Sequence, residues 1–231
     1  MPSAPSPADL ALRRLRQNPS AVLLAAQLLS ILAYPFLADS TAGRVVIGVV
    51  GVVIVLAALW AVRSTPALTW VALLLGLPAT VLAVLEAVDP SSDPVVLVSA
   101  LFHAPFYFYI SYAMVRYVFA DDRVSSDEIF ATAAAFTVVA WGFAYVYAGA
   151  QVIWPGSFTG VGGVGEPAWF ELLFLSFTTL TSTGLSDVTP VLQHARSLSM
   201  VEQVTGVFYI AFVVARMVGL TVRGRHTEDS A

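Results

Sequence analysis

Residues 169–190 read WFELLFLSFTTLTSTGLSDVTP, and the fold turns on whether this stretch crosses a membrane. Its apolar part, 169–180, is too short, because spanning the hydrocarbon core takes about 20 apolar residues. It runs into threonines, one glycine and an aspartate, and it lies between two segments that are long enough to span. The stretch therefore reads as a re-entrant loop.

Irregular backbone is tolerated at membrane depth only where protein buries it or where it lines a water-filled path. A pore is the natural candidate. The segment Thr181-Ser182-Thr183-Gly184-Leu185-Ser186-Asp187 resembles a rewritten T-V-G-Y-G filter, whose carbonyl oxygens, in four copies, replace the water around a potassium ion. With its flanks it resembles the two-helix P-loop pore domain of prokaryotic potassium-channel-like ion channels. The resemblance covers residues 129–220. It rests also on Trp154-Pro155-Gly156-Ser157-Phe158 closing the fifth span and on Ser176-Phe177-Thr178-Thr179-Leu180-Thr181 leading into the filter. Asp187-Val188-Thr189-Pro190 leaves the filter, and Gly206-Val207-Phe208-Tyr209-Ile210 lies within the last span.

On the family's pattern, residues 182–186 occupy the places of T-V-G-Y-G. Gly184 keeps the first glycine, Leu185 replaces the tyrosine and Ser186 replaces the second glycine. A non-glycine residue in the left-handed region costs about 1–2 kcal/mol. A different backbone course is therefore expected in the outer half of the filter, with the inner ion sites near Ser182 and Thr183 better kept. Potassium selectivity does not carry over.

Composition agrees with a membrane protein. The 231 residues are 58% hydrophobic and 11% charged, with mean hydropathy +0.82, whereas soluble domains are about 25% charged. The absence of cysteine excludes disulfides, thiol chemistry and Cys-based zinc sites. A net charge of -4 gives no reason to expect a nucleic-acid partner.

Apolar runs at 21–38, 45–62, 67–88, 95–119, 129–154 and 198–220 predict six spans, each near the required length. All eleven basic residues are arginine. An N-terminus inside puts nine of them on the cytoplasmic side and leaves only Arg44 and Arg196 outside, as the positive-inside rule asks. The same orientation places the filter outside. The expected organisation is a cytoplasmic tail (1–19), four peripheral helices (20–120), a cytoplasmic linker (121–128), the pore domain (129–222) and a cytoplasmic tail (223–231). A signal peptide is the competing reading of the start, but the run at 21–38 exceeds a signal core of about 7–15 residues.

In the first four spans no functional signature stands out. A voltage sensor needs arginines repeated along the fourth span, where Arg116 stands alone near one end and snorkelling explains it. His103, followed by Pro105 and the aromatic run 106–109, is either a titrating group or a histidine hydrogen-bonded between helices. Glu86 reads as interfacial, Gly76 and Pro78 as a kink, and Gln27 as an interhelical hydrogen bond. In the linker, Ser125 or Ser126 caps the fifth helix, with Asp127 and Glu128 favoured by its N-terminal dipole.

Residues 160–165 match G-x-G-x-x-G, but they follow a membrane span on the outer face and not a buried strand of a βαβ unit, so they read as a turret and not as a dinucleotide fingerprint. Pro167 is expected to start the pore helix, with Glu166 and Glu171 near its positive end. Asp187 either forms a ring of four carboxylates at the mouth or braces the loop. Gly206 is a gating hinge, as the resemblance implies, or a close helix contact. Glu202, one turn earlier, is expected to face protein, and Arg216 to snorkel or to rim the inner entrance.

The expectation is an all-α integral membrane homotetramer in the cell (inner) membrane, multi-pass, with both termini cytoplasmic. It passively conducts monovalent cations, potassium with or without sodium. Thr181, Ser182, Thr183 and Gly184 would line the inner filter, Leu185 and Ser186 the altered outer filter, and Asp187 the mouth. The lipid bilayer and the permeant K+ or Na+ ions are the expected partners; no cofactor and no nucleic acid are expected. The alternative is a non-conducting pore-domain homologue that regulates or scaffolds. An enzyme is disfavoured, because His103, His194 and His226 lie at different depths and no nucleophile–base pair is apparent.

Overall fold

The computed structural model describes residues 18–61, 66–119, 125–160, 162 and 165–228. The N-terminal tail with Arg13, Arg14 and Arg16, together with Arg63 and Arg123, lies outside the described residues.

Among the described residues seven helices follow one another: α1 (Pro19–Leu37), α2 (Thr41–Ala61), α3 (Pro66–Val88), α4 (Asp93–Val118), α5 (Ser126–Ile153), α6 (Trp169–Leu180) and α7 (Gln193–Glu228). The exception to the all-helical expectation is an antiparallel pair of two-residue strands, β1 (Phe158–Thr159) and β2 (Thr189–Pro190). Among the described residues five helices are long and apolar enough to cross a membrane: α1, Trp70–Val88 of α3, α4, Asp127–Ile153 of α5 and Gln193–Arg216 of α7. The second expected span is a helix of 21 residues, of which Thr41–Gly51 ranks as a shorter apolar helix.

Consecutive helices pack along one another, and α5 also meets α1, α6 and α7. It can sit among so many neighbours because its surface is small: Ala131, Ala134, Ala135, Ala140, Ala144 and Ala148 are all buried. In lipid, helices associate through close packing and interhelical hydrogen bonds more than through the hydrophobic effect. At Gly142 the approach is so close that an added Cβ would lie 2.9 Å from the Phe108 ring. Polar ties complete the bundle. Ser111 Oγ donates to Ala135 O at 3.2 Å, and Tyr209 Oη on α7 donates to Thr132 O at 2.6 Å.

Ser125 is the cap of α5, its hydroxyl accepting from Glu128 N at 3.2 Å. Asp127 has a further role. Its carboxylate accepts from Ser20 N and Ser20 Oγ, both at 2.9 Å, and from Tyr117 Oη at 3.3 Å. The first turn of α5 thus holds the free N–H end of α1, where orphan donors need acceptors, and the end of α4.

Candidate functional site

The re-entrant stretch forms α6, which spans 12 residues, about 18 Å at 1.5 Å per residue and so only part of a bilayer. It begins at Trp169, two residues after the expected Pro167. The shift has a local cause. Ala168 N donates to the Glu171 carboxylate at 2.8 Å, half of a capping box, while Pro167 O accepts from Gln151 Nε2 at 3.3 Å. Pro167 is thereby drawn into the contact with α5 and out of the helix.

At its other end α6 closes in a Schellman motif. Thr183 N donates to Thr178 O at 2.9 Å and Ser182 N to Thr179 O at 3.0 Å, the paired bonds that define this ending. Ser182 takes the left-handed position, φ 57°, and is the only non-glycine residue with positive φ among the described residues. Gly184 follows at φ 64°. The strain that the sequence suggests for Ser186 falls instead on Ser182. Ser186 has no positive φ and its hydroxyl accepts from Val188 N at 3.1 Å.

Threonine side chains tie the same turn inward. Thr181 Oγ1 lies 2.7 Å from Phe177 O and 3.1 Å from Thr183 Oγ1. By contrast, among the described residues no donor reaches the backbone carbonyls of residues 181–186. Residues 181–185 and Asp187 are exposed and Ser186 is half-buried. Asp187 likewise receives no hydrogen bond among the described residues. After it the chain returns through β2, which pairs with β1 in the register Phe158↔Pro190 and Thr159↔Thr189. The turret and the exit of the loop are thus one unit, and His194 stacks on Trp154 at 4.1 Å beside it.

Behind α6 lies a buried polar cluster. Glu202 of α7 is fully buried and its carboxylate accepts from Tyr147 of α5 and Ser176 of α6; Ser176 Oγ is also 2.8 Å from Ala140 O. The expectation that Glu202 faces protein is met, and the cluster binds the three helices around the loop. One turn on, Gly206 is seated on the end of α6: an added Cβ would lie 1.9 Å from Leu180 O. This is the close helix contact. At the far end of α7, the Arg216 guanidinium lies over the Phe119 ring at 4.7 Å.

A short apolar helix held by two long ones ends in an exposed loop whose carbonyls receive no donor among the described residues, in a chain with several helices long and apolar enough to cross a membrane. Residues 95–223, more than half of the chain, match the ion channel family, and the chain belongs to it. The family's pore domain is potassium-channel-like, built on two membrane helices. No curated protein and no solved structure matches the chain. The match begins well before residue 129, inside α4, which packs along α5 over most of its length. Sequence reasoning missed this because α4 carries no stretch resembling the filter motif.

Proposed function

We propose that the chain assembles as a homotetramer that passively conducts monovalent cations, potassium with or without sodium, through residues 181–187. One observation carries this reading: residues 181–185 are exposed, and the carbonyls of 181–186 accept from no donor among the described residues. Backbone carbonyls at membrane depth need partners, and one loop supplies only a quarter of a filter. Four copies around an axis would give Thr181, Ser182, Thr183 and Gly184 to the inner sites, Leu185 and Ser186 to the outer filter and Asp187 to a ring of carboxylates. The α6 C-terminus, the partly negative end of its dipole, would face the dehydrating cation. Bending of α7 at Gly206 would move Leu180 O and with it the base of the filter, which joins the hinge to the contact. The arginine distribution supports termini and linker inside and the filter outside.

The test is the reversal potential of reconstituted protein with potassium on one side and sodium on the other. A value displaced toward the potassium equilibrium potential, or one near zero with robust current, is expected of a cation channel. Silence that persists after residues 182–186 are replaced by T-V-G-Y-G would sink conduction and leave the regulatory or scaffolding subunit.

A further inference from the structure

We propose that the cavity between the first four helices and the pore domain is a binding site for a primary ammonium that also carries an oxygen acceptor. The cavity measures about 840 Å³, within the range of about 300–1,000 Å³ usual for ligand pockets. Its walls come from α1, α2, α3, α4, α5 and the first turn of α6. They carry a cluster of aromatic rings. His103 stacks on Tyr145 at 4.3 Å, Tyr145 lies 5.4 Å from Trp169, and Tyr107 meets Trp141 edge-on at 5.7 Å. Such faces attract cations.

Three acceptors line it. Ser99 Oγ donates to Glu86 Oε2, while Glu86 Oε1 has no donor among the described residues. Since the single Ser99 proton is used there, His103 Nδ1, 3.0 Å from Ser99 O, is the N–H donor, and the ring's Nε2 is left as an acceptor. Gln151 Oε1 is buried without a partner among the described residues. An –NH3+ group has three donors to offer and no acceptor. Two donors complement these acceptors: the indole N–H groups of Trp141 and Trp169 are buried without partners among the described residues, and Trp141 is only 4% exposed. A ligand oxygen would satisfy them. The one arginine among the described lining residues, Arg44, has its guanidinium on Ala87 O, Ala38 O and Thr41 Oγ1 at 3.1–3.2 Å. With Glu86, Asp93, Glu166 and Glu171 also in the wall, the field favours a cation over an anion. Both a free amine and the ethanolamine headgroup of a phospholipid have this chemistry.

The test is calorimetric titration of the full chain in phosphatidylglycerol nanodiscs with tyramine, and with tyrosol, which replaces the amine by hydroxyl. It reads binding without any current, so its outcome is separate from that of conduction. Tyramine is expected to bind saturably and tyrosol about tenfold or more weakly, the loss of a charge-assisted hydrogen bond. Glu86→Gln should weaken tyramine about tenfold, and Trp141→Phe, which keeps the ring, about threefold. In phosphatidylethanolamine discs, unchanged affinity identifies a free amine as the occupant; loss by competition identifies the headgroup. Absence of saturable heat in phosphatidylglycerol, tyrosol binding as tightly as tyramine, or unchanged affinity in both variants overturns the proposal.

Discussion

The two long helices that grip α6 differ sharply. In α5, 67% of the best membrane-length window is buried within the chain; in α7 the figure is 17%. The burial of α7 is a single stripe, Ala195, Ser199, Glu202 and Gly206, continued by half-buried Tyr209 and Val213, the i, i+3, i+4 spacing of a one-sided helix. Val204, Val207, Phe208 and Phe212 on its other faces are exposed. One chain therefore completes the surroundings of α5, while it leaves α7 and the loop of residues 181–187 open to lipid or to further copies. Those unfinished parts are the ones a tetrameric pore would need.

The contrast can be broken at its glycines. Gly206→Ala is the larger insult, because its methyl would meet backbone, the Leu180 carbonyl, at 1.9 Å; overpacking against an atom that cannot rotate away is expected to cost about 3 kcal/mol or more. Gly142→Ala in α5 meets the Phe108 ring at 2.9 Å, a side chain that can give, at about 1 kcal/mol. Thermal unfolding in detergent should rank them in that order. The reverse ranking would mean that the end of α6 is not fixed on α7.

Next comes the cluster that spans both helices. Glu202→Ala leaves the buried Tyr147 hydroxyl without its acceptor and is expected to cost about 3 kcal/mol. A double-mutant cycle of Glu202→Gln with Tyr147→Phe should return a coupling of about 1–2 kcal/mol. Additive effects would dissolve the link between α5 and α7 behind the filter. Asp127→Ala removes three hydrogen bonds to α1 and α4 and is expected to cost about 2 kcal/mol. Because this tie is made to α1 and α4 and not to α7, the reversal potential should not move; a shift would show that the periphery is coupled to the filter.

These clusters also mark how far the chain can be read without coordinates. Local signals were sufficient for the short helix α6, since its shortness and its threonine-rich end are properties of one stretch, and for the Ser125 cap, since Glu128 is its neighbour. Long-range partners left no such trace. That Glu202 needed protein around it was readable from its place in an apolar span; that Tyr147 and Ser176 would supply the partners, 55 and 26 residues away, was not. Asp127 looked like a carboxylate at a helix dipole because nothing near it in sequence announces Ser20. His103 and Ser99 stand one turn apart, yet Glu86 joins them only through the packing of α3 on α4, so an interfacial carboxylate was the reading and a wall of the cavity is the outcome. Pro167 misled by two residues because proline suits a first helical position and the competing capture of its carbonyl by Gln151 is tertiary.

The smallest expected effect sits where the loop leaves α6. Ser182 holds φ 57° as the left-handed residue of the Schellman motif, a conformation that costs a non-glycine residue about 1–2 kcal/mol. Ser182→Gly removes that strain but adds freedom to the unfolded chain, which offsets about 0.5–1 kcal/mol. The net expectation is stabilisation by about 0.5–1 kcal/mol, read as a small rise in Tm. Ser182→Ala keeps the strain and should show no gain, so the pair separates backbone from hydroxyl. If Ser182→Gly instead lowers the Tm of the assembled protein while Ser182→Ala does the same, the hydroxyl is held by a group outside the single chain. Since no hydrogen bond from the Ser182 hydroxyl exists within the described residues, that result would point to a neighbouring copy at the filter.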